Sequence, residues 1–256
     1  MQLFTREGNY VIRPKIATDN PVEAGVFDLV FFCTKSYSLE SSAQKYSACI
    51  NNNTVVIPLL NGINISERLR AVLPQANILS ASVYIISFIE STGIVRQKEG
   101  PGELIFGTDD ETAKKYQYIL DILLQAKIKA TLTDKISEVL WAKYMLICSL
   151  GLLTSATGKT YGGIMGDMKL RQKLKSMMEE VAAVARARNV MLPEESVDKA
   201  MQLIGSVACD NKTSMQLDKE KGRHLEIDTM PAYLCRMGRE LGIPTPLHDK
   251  IYAQLK

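Results

Sequence analysis

The stretch DLVFFCTKSYS, residues 28–38, is an apolar run that stops on Thr34 and Lys35. The run is too short for a typical helix, and short apolar runs are typical of central parallel strands that are covered on both faces. A second stretch, NTVVIPLLNG at residues 53–62, repeats the pattern and ends on Asn61 and a glycine. We therefore predict two strands of one parallel sheet, whose polar ends face a cofactor.

The segment between the two runs has helical spacing, because apolar residues recur at Leu39, Ala43, Tyr46 and Ile50. Strand, helix and strand within about thirty residues make a βαβ unit, and the crossover of such a unit should be right-handed. The sequence therefore predicts an α/β domain with helices packed on a parallel sheet.

Residues 78–107 predict several strands joined by tight turns, and the sheet domain is expected to end near residue 132 with a last edge strand. After it the strand patterns vanish. The predicted helices cover residues 135–156, 168–190, 195–208, 225–241 and 246–255. We therefore predict an α/β fold, with an incomplete Rossmann-type (doubly wound) sheet domain at residues 1–132 and a helical substrate domain at residues 133–256. Such an arrangement implies a cleft between the two domains.

Composition argues against nucleic-acid binding, metal binding and membrane association. The chain of 256 residues is 46% hydrophobic and 23% charged, with a net charge of +3, and it has no basic run with interleaved aromatic residues, so nucleic acid is not an expected partner. Five scattered cysteines without a C-x-x-C pair indicate reduced thiols and a cytoplasmic protein. Two histidines and no Cys/His cluster predict no metal site. No signal peptide and no stretch of eighteen apolar residues are found, so no membrane association is expected.

The glycine fingerprint G-x-G-x-x-G, which opens a dinucleotide-binding sheet, occurs nowhere in this sequence. We therefore expect that the chain lacks the first βαβ piece of such a domain, on the order of 50 residues by the usual size of that unit. The chain as it stands is then expected to bind NADPH weakly. Calorimetry with NADPH checks this expectation, and tight binding would refute it.

Three residues have two interpretations each. Lys35 and Asn61 occupy the carboxyl ends of the predicted strands, where ligands bind in open α/β sheets, although a solvated loop lysine and a turn asparagine are equally ordinary there. Lys143 lies on a helix that is apolar nearly all round, and burial would lower the pKa of its ammonium and make it a usable proton donor. Alternatively, its stem packs on Trp141 or Leu140 while the ammonium reaches water.

Ser214 and Glu226 flank a polar segment, MQLDKEKGRHL. Ser214 is typical of a helix cap, and Glu226 is typical of a first-turn carboxylate that the helix dipole favours. Nothing in the local sequence makes either residue catalytic.

Six stretches together carry a resemblance to a known family. They are TKSYSLE, PLLNGINISERL, ELIFGT, LWAKYML, TSMQLDKEKGRHLEID and GIPTPLHDKIYAQLK. Over essentially its whole length the chain resembles the ketopantoate reductases (2-dehydropantoate 2-reductases). The resemblance implies an N-terminal Rossmann domain, a helical C-terminal domain with the active site between them, and NADPH-dependent reduction of 2-dehydropantoate to pantoate in pantothenate and coenzyme A biosynthesis. It also implies that the pyrophosphate site, and the basic residues that select the 2′-phosphate, are absent from this chain.

Carried over position by position, the resemblance gives five residues a role. Lys143 matches the catalytic lysine that donates the proton, and Asn61 matches an asparagine between the nicotinamide and the substrate. Lys35 matches a lysine beside the cofactor, and Glu226 matches a glutamate that contacts the nicotinamide end of the cofactor. Ser214 matches a serine that binds the carboxylate or hydroxyl of the substrate.

The sequence departs from the best-known members of that family at three positions. Asparagines that hold the substrate there are replaced by Ile147, Gly151 and Tyr161. A related reductase of another 2-oxo or 3-oxo acid is therefore an alternative. An inactive truncated module for binding or dimerisation is another, and a homodimer is among the assemblies that the apolar helices allow.

Overall fold

The computed structural model describes all residues, Met1–Lys256, and the chain divides into two compact units. The sheet unit comprises Met1–Thr34, Ser38–Leu60 and Asn64–Ile136, and the helical unit comprises Lys35–Tyr37, Asn61–Ile63 and Ser137–Lys256. The predicted fold class, a mixed α/β sheet domain followed by a helical domain, is confirmed. Two short segments that follow strands along the chain thus belong to the helical unit.

The sheet unit contains eight strands and four α-helices, with short 3₁₀ turns between some of them. Its elements are β1 (Gln2–Phe4), β2 (Asn9–Val11), α1 (Pro21–Ala24), β3 (Leu29–Phe32), α2 (Leu39–Lys45), β4 (Val55–Pro58), α3 (Ile65–Val72), β5 (Asn77–Ile78), β6 (Ser80–Ser91), β7 (Ile94–Gly107), α4 (Gln117–Gln125) and β8 (Ala130–Thr133).

Strands β3, β4 and β5 form a parallel sheet in that order. Strand β4 is buried along its whole length, as its apolar sequence predicts. Strand β3 lies at the edge, and Phe31 in it is 38% exposed. The prediction that both runs are central strands is therefore correct for β4 and wrong for β3, because the neighbours of a strand are set by pairing with distant segments, which the run itself does not encode.

A second sheet has the order β2-β1-β7-β6, and β8 also pairs with β7. The expected tight turn after Ser91 is confirmed, since β6 and β7 are the two strands of one hairpin, but the expected break at Pro101 and Gly102 is wrong, because β7 continues through it. Gly100 and Gly102 stay inside β7 with φ of 88° and 63°. A Cβ on Gly100 would lie 3.1 Å from the carbonyl oxygen of Tyr84, where the register of the hairpin shifts. The two glycines therefore make an irregularity within a strand instead of ending it.

The helical unit contains seven helices. They are α5 (Ile136–Thr157), α6 (Tyr161–Met165), α7 (Met168–Ala187), α8 (Ser196–Ser206), α9 (Ser214–Glu220), α10 (Pro231–Leu241) and α11 (Pro246–Leu255). Helix α7 has the predicted apolar stripe, in which Leu174, Met177, Val181 and Val184 are fully buried. Buried residues of α5, α7, α10 and α11 form one core cluster.

The prediction of a helix over residues 225–241 is wrong at its start, and two helices were not predicted. Residues 226–230 form turns, and α10 begins at Pro231, where a missing backbone N–H costs no hydrogen bond. Helices α6 and α9 are only five and seven residues long, too short to show a repeating apolar pattern.

Helix α5 is apolar and long enough to cross a membrane by length and composition alone. The sequence contains no uninterrupted run of eighteen apolar residues, because Glu138 and Lys143 interrupt this helix, so the helix meets the looser criterion only through its average composition. Most of its apolar window is buried inside the protein, and its residues contribute to the core of the helical unit.

Candidate active site

Lys143 lies in the first half of α5, beside the buried residues Trp141 and Tyr144. Its side chain is partly buried, and this burial lowers the pKa of Lys143 to about 8. Desolvation disfavours the charged form of an amine, which is the physical cause of the shift. Of the two interpretations of Lys143, the desolvated ammonium therefore agrees with the structure better than the ammonium that reaches water.

Lys35 is held by two carboxylates. Its Nζ lies 2.8 Å from Oδ2 of Asp218 and 3.6 Å from Oε2 of Glu226. Burial opposes its charge, but the hydrogen bond to Asp218 and the two negative charges raise the pKa of Lys35 overall. Asp218, which is 8% exposed, also lies 3.4 Å from Nη1 of Arg223. The sequence did not predict a role for Asp218, because it sits in a polar run that is typical of a solvated surface.

Glu226 fixes the segment that carries Lys35. Its Oε1 accepts a hydrogen bond from the backbone N–H of Ser36 at 3.0 Å, and the hydroxyls of Ser36 and Thr229 share a hydrogen bond of 2.8 Å. Because α10 begins five residues later, at Pro231, the interpretation of Glu226 as a first-turn carboxylate is wrong. The carboxylate acts on the 35–37 segment instead of on the helix dipole.

The turn that carries Glu226 is also tied to the helix of Lys143. The buried phenol of Tyr144 donates a hydrogen bond to the backbone carbonyl of Met230, at the end of that turn. Lys35, Glu226 and the first half of α5 therefore belong to one connected set of contacts within the helical unit.

Ser214 is the first residue of α9, and its side chain is exposed. The cap is Thr213, whose hydroxyl accepts from the N–H of Gln216 and bonds the hydroxyl of Thr154 on α5 at 2.8 Å. The interpretation of Ser214 as the cap is therefore wrong by one residue. This leaves the Ser214 hydroxyl outside the capping interaction, on a short helix that is anchored to α5.

Asn61 belongs to the helical unit together with Gly62 and Ile63, and Ile63 packs against the core cluster of that unit. All five predicted site residues are thus assigned to the helical unit. The structure joins Lys35 to Glu226 directly and links α5 to them through the Tyr144 hydrogen bond. Asn61 and Ser214 are held in the helical unit by their neighbours in sequence, Ile63 and Thr213 respectively.

The three positions that depart from the family pattern lie on or near α5. Ile147 is partly buried, and Gly151 is buried against Met215 of α9. Tyr161 begins α6, and its backbone N–H donates to the carbonyl of Asn211 at 3.0 Å.

The carboxyl ends of the parallel strands carry polar atoms that fit a nicotinamide cofactor. Thr34 Oγ1, just after β3, and Asn64 Oδ1, before α3, are buried and make no hydrogen bond. Buried polar groups without a partner are rare in proteins and suit a ligand that offers donors and acceptors. No cluster of metal-ligating side chains is present among Met1–Lys256.

Comparison with known proteins gives two family-model matches that together cover most of the chain. Residues 1–111 match the model described as ketopantoate reductase PanE/ApbA, and residues 135–256 match the C-terminal model of the same family.

Similar proteins agree with these matches. An uncharacterized oxidoreductase of Bacillus subtilis is 23% identical over 99% of this chain and 84% of its own length. A 2-dehydropantoate 2-reductase of Mesorhizobium japonicum is 25% identical over 98% of this chain and 82% of its own length. The crystal structure of a PanE/ApbA family ketopantoate reductase from Ralstonia eutropha is 28% identical, has a TM-score of 0.89, and covers 100% of this chain and 83% of its own. A D-mandelate dehydrogenase solved with NADH and anilino(oxo)acetate has a TM-score of 0.88 at 22% identity, over 99% of this chain and 82% of its own.

Proposed function

The chain belongs to the PanE/ApbA ketopantoate reductase family, and from this premise we propose that it reduces a 2-oxo acid with NADPH, 2-dehydropantoate being the candidate substrate and pantoate the product. Membership in this family makes the chain an oxidoreductase. The choice of NADPH and of 2-dehydropantoate is our proposal, and it is supported by the named family and by the candidate site.

When bound, a nicotinamide cofactor supplies a hydride to the ketone carbon of the substrate. Negative charge then develops on the ketone oxygen, and the ammonium of Lys143 stabilises this oxygen and gives it a proton. With its pKa of about 8, Lys143 is protonated at pH 7 in roughly ten molecules for each one that is neutral. The Lys143 side chain is therefore mostly protonated at pH 7 and is also a stronger acid than an ordinary lysine.

The other residues position the reactants. Asn61 orients the ketone and the nicotinamide amide, and the exposed hydroxyl of Ser214 binds the polar end of the substrate. Lys35 stays charged, but Asp218 and Glu226 offset its charge, so the cluster carries less net positive charge beside the cofactor than a lone lysine would. We assign to the Lys35–Glu226 pair the task of fixing the 35–37 segment at the nicotinamide end.

The single observation that carries this proposal is the desolvated lysine on the apolar helix α5. The decisive experiment measures NADPH oxidation with 2-dehydropantoate for Lys143→Ala at several NADPH concentrations. Loss of a general acid should lower turnover by about 10²–10⁴-fold. The matched control is Lys159→Ala, which removes an exposed lysine just after α5 and should leave turnover unchanged. Equal turnover in Lys143→Ala and the control would reject the proton donor.

A second candidate function, reduction of another 2-oxo acid, is favoured by the apolar residues Ile147 and Gly151 on the helix of Lys143. A panel that compares 2-dehydropantoate with other 2-oxo and 3-oxo acids separates the two candidates, and parallel assays with NADH test the cofactor choice. The alternative of an inactive binding module predicts no NADPH oxidation with any acid of the panel. The five free cysteines support a cytoplasmic location, because thiols stay reduced in that compartment. Analytical ultracentrifugation tests whether the protein forms a homodimer.

A further inference from the structure

The face of α5 that follows Lys143 offers no hydrogen-bonding side chain for two turns. Residues four and eight positions after a helical residue lie on the same face, and here they are Ile147 and Gly151. Side chains on a helix lean toward its N-terminus, so Ile147 covers the turn on which Lys143 sits. The surface next to the ammonium on this helix is therefore apolar.

A second element closes this surface with another apolar side chain. Cβ and Cε of Met215 lie 3.7 Å, and its Sδ 3.8 Å, from the place that a Cβ on Gly151 would occupy. Met215 itself is 4% exposed and belongs to the same core cluster against which Ile147 packs. The space over Gly151 is thus filled by a thioether side chain.

A third apolar side chain comes from the segment of Asn61. Ile63 packs against this same core cluster of the helical unit. Three separate elements, α5, α9 and the 61–63 segment, therefore place Ile147, Met215 and Ile63 on one core, while the polar groups assigned to the substrate are confined to Lys143, Asn61 and Ser214.

We infer that this site holds the substituent beyond the ketone of a branched 2-oxo acid by apolar contact and does not bind a hydroxyl there. The inference rests on the proposed function and specifies its substrate class. An apolar pocket rejects an added hydroxyl only weakly, by about 10²-fold at most, whereas a site built to bind a hydroxyl rejects the analogue that lacks it by roughly 10⁴–10⁵-fold. The preference between two such acids therefore reports which kind of site is present.

The experiment uses a matched pair of substrates, 2-dehydropantoate and trimethylpyruvate, which differ only in that one methyl of trimethylpyruvate carries a hydroxyl in 2-dehydropantoate. We expect kcat/KM for trimethylpyruvate to equal or exceed that for 2-dehydropantoate, by up to about 10²-fold. A preference of tenfold or more for 2-dehydropantoate overturns the inference and leaves the reductase proposal intact.

Binding separates the two proposals if neither acid is reduced, an outcome that rejects the proposed function. Calorimetry without cofactor then compares pantoate with its analogue that lacks the terminal hydroxyl. Equal or tighter binding of the analogue supports the apolar site, and tighter binding of pantoate, or binding of neither, overturns it.

A substitution on α5 tests whether Ile147 sets the preference between the two acids. Ile147→Asn adds an amide beside Lys143, and we expect the preference to move roughly two- to tenfold toward 2-dehydropantoate, which is the net value of one hydrogen bond to a bound hydroxyl. The control Leu203→Asn makes the same kind of change at a residue of α8 that is 52% exposed and should leave the ratio unchanged. Ile147→Thr keeps the branched shape and replaces the asparagine variant if that protein does not fold. An unchanged ratio in the folded variant refutes the role of Ile147.

Discussion

Replacing the partly buried lysine of α5, Lys143, by methionine should make the protein more stable and inactive at the same time. Burial moves the pKa of Lys143 from its ordinary value of 10.5 to about 8. Each pH unit of that difference corresponds to about 1.4 kcal/mol, so holding the charged group in the fold costs about 3 kcal/mol. Methionine keeps the unbranched shape and removes the charge.

The sign of this cost sets its pH dependence. Below pH 8 the lysine is charged in both the folded and the unfolded protein, and the full cost is present. Between pH 8 and 10.5 the folded protein releases the proton while the unfolded chain still holds it, so the free energy of unfolding rises with pH. Above pH 10.5 both states are neutral and the cost has gone. Lys143→Met should therefore be stabilised at pH 7 by up to about 3 kcal/mol, less the polar contacts that the ammonium makes, and the gain should shrink by pH 10.

Urea unfolding at pH 7 and pH 10 measures this difference, with turnover assayed in parallel. The control is Lys159→Met, at an exposed lysine, which should change stability by less than about 0.5 kcal/mol at either pH. A stability difference for Lys143→Met that is the same at both pH values would show that no desolvated charge is held at this position, because such a charge must titrate away. A destabilised variant at pH 7 would contradict a desolvated charge as well.

With Lys143 as the acid, kcat/KM should be level below pH 8 and fall about tenfold per pH unit above it, and a profile that stays level to pH 10 would contradict this role. In Asp218→Asn, Lys35 loses its nearest carboxylate. This variant should therefore show faster amide hydrogen exchange at Ser36 and a rise in KM for NADPH that exceeds its fall in kcat. The control is Glu220→Gln, at an exposed ion pair. Glu180→Gln should lower the free energy of unfolding by about 1–3 kcal/mol, because that carboxylate accepts two backbone N–H groups in the first turn of α11 and contacts the ring of a buried histidine. Urea unfolding checks it, and an unchanged midpoint would count against this role.

Local patterns predicted the elements whose burial follows a simple repeat. Every residue of β4 is buried, and the apolar residues of α7 recur at helical spacing on one buried face, so the pattern itself indicates which residues are buried. The edge position of β3 and the glycine irregularity in β7 depend on which strands pair. These features lie outside what a run of residues encodes.

The candidate site shows the same division. The apolar sequence around Lys143 allows both a desolvated ammonium and one that reaches water, and only the partial burial of the side chain in the folded protein shows that its pKa is lowered. The pairing of Lys35 with Asp218 joins residues that are 183 positions apart. No local pattern specifies such a contact, so the sequence could suggest each residue but not the ion pair.

Helix α5 has a further consequence for how the protein is made. It ends at Thr157, while α10 and α11, which contribute to the core around it, lie in the last part of the chain. Translation adds roughly 5–20 residues per second, so the apolar surface of α5 stays uncovered on the ribosome for several seconds before those helices emerge. We therefore expect α5 to promote aggregation during synthesis, so that a shortage of chaperones that bind apolar segments should lower the yield of folded protein.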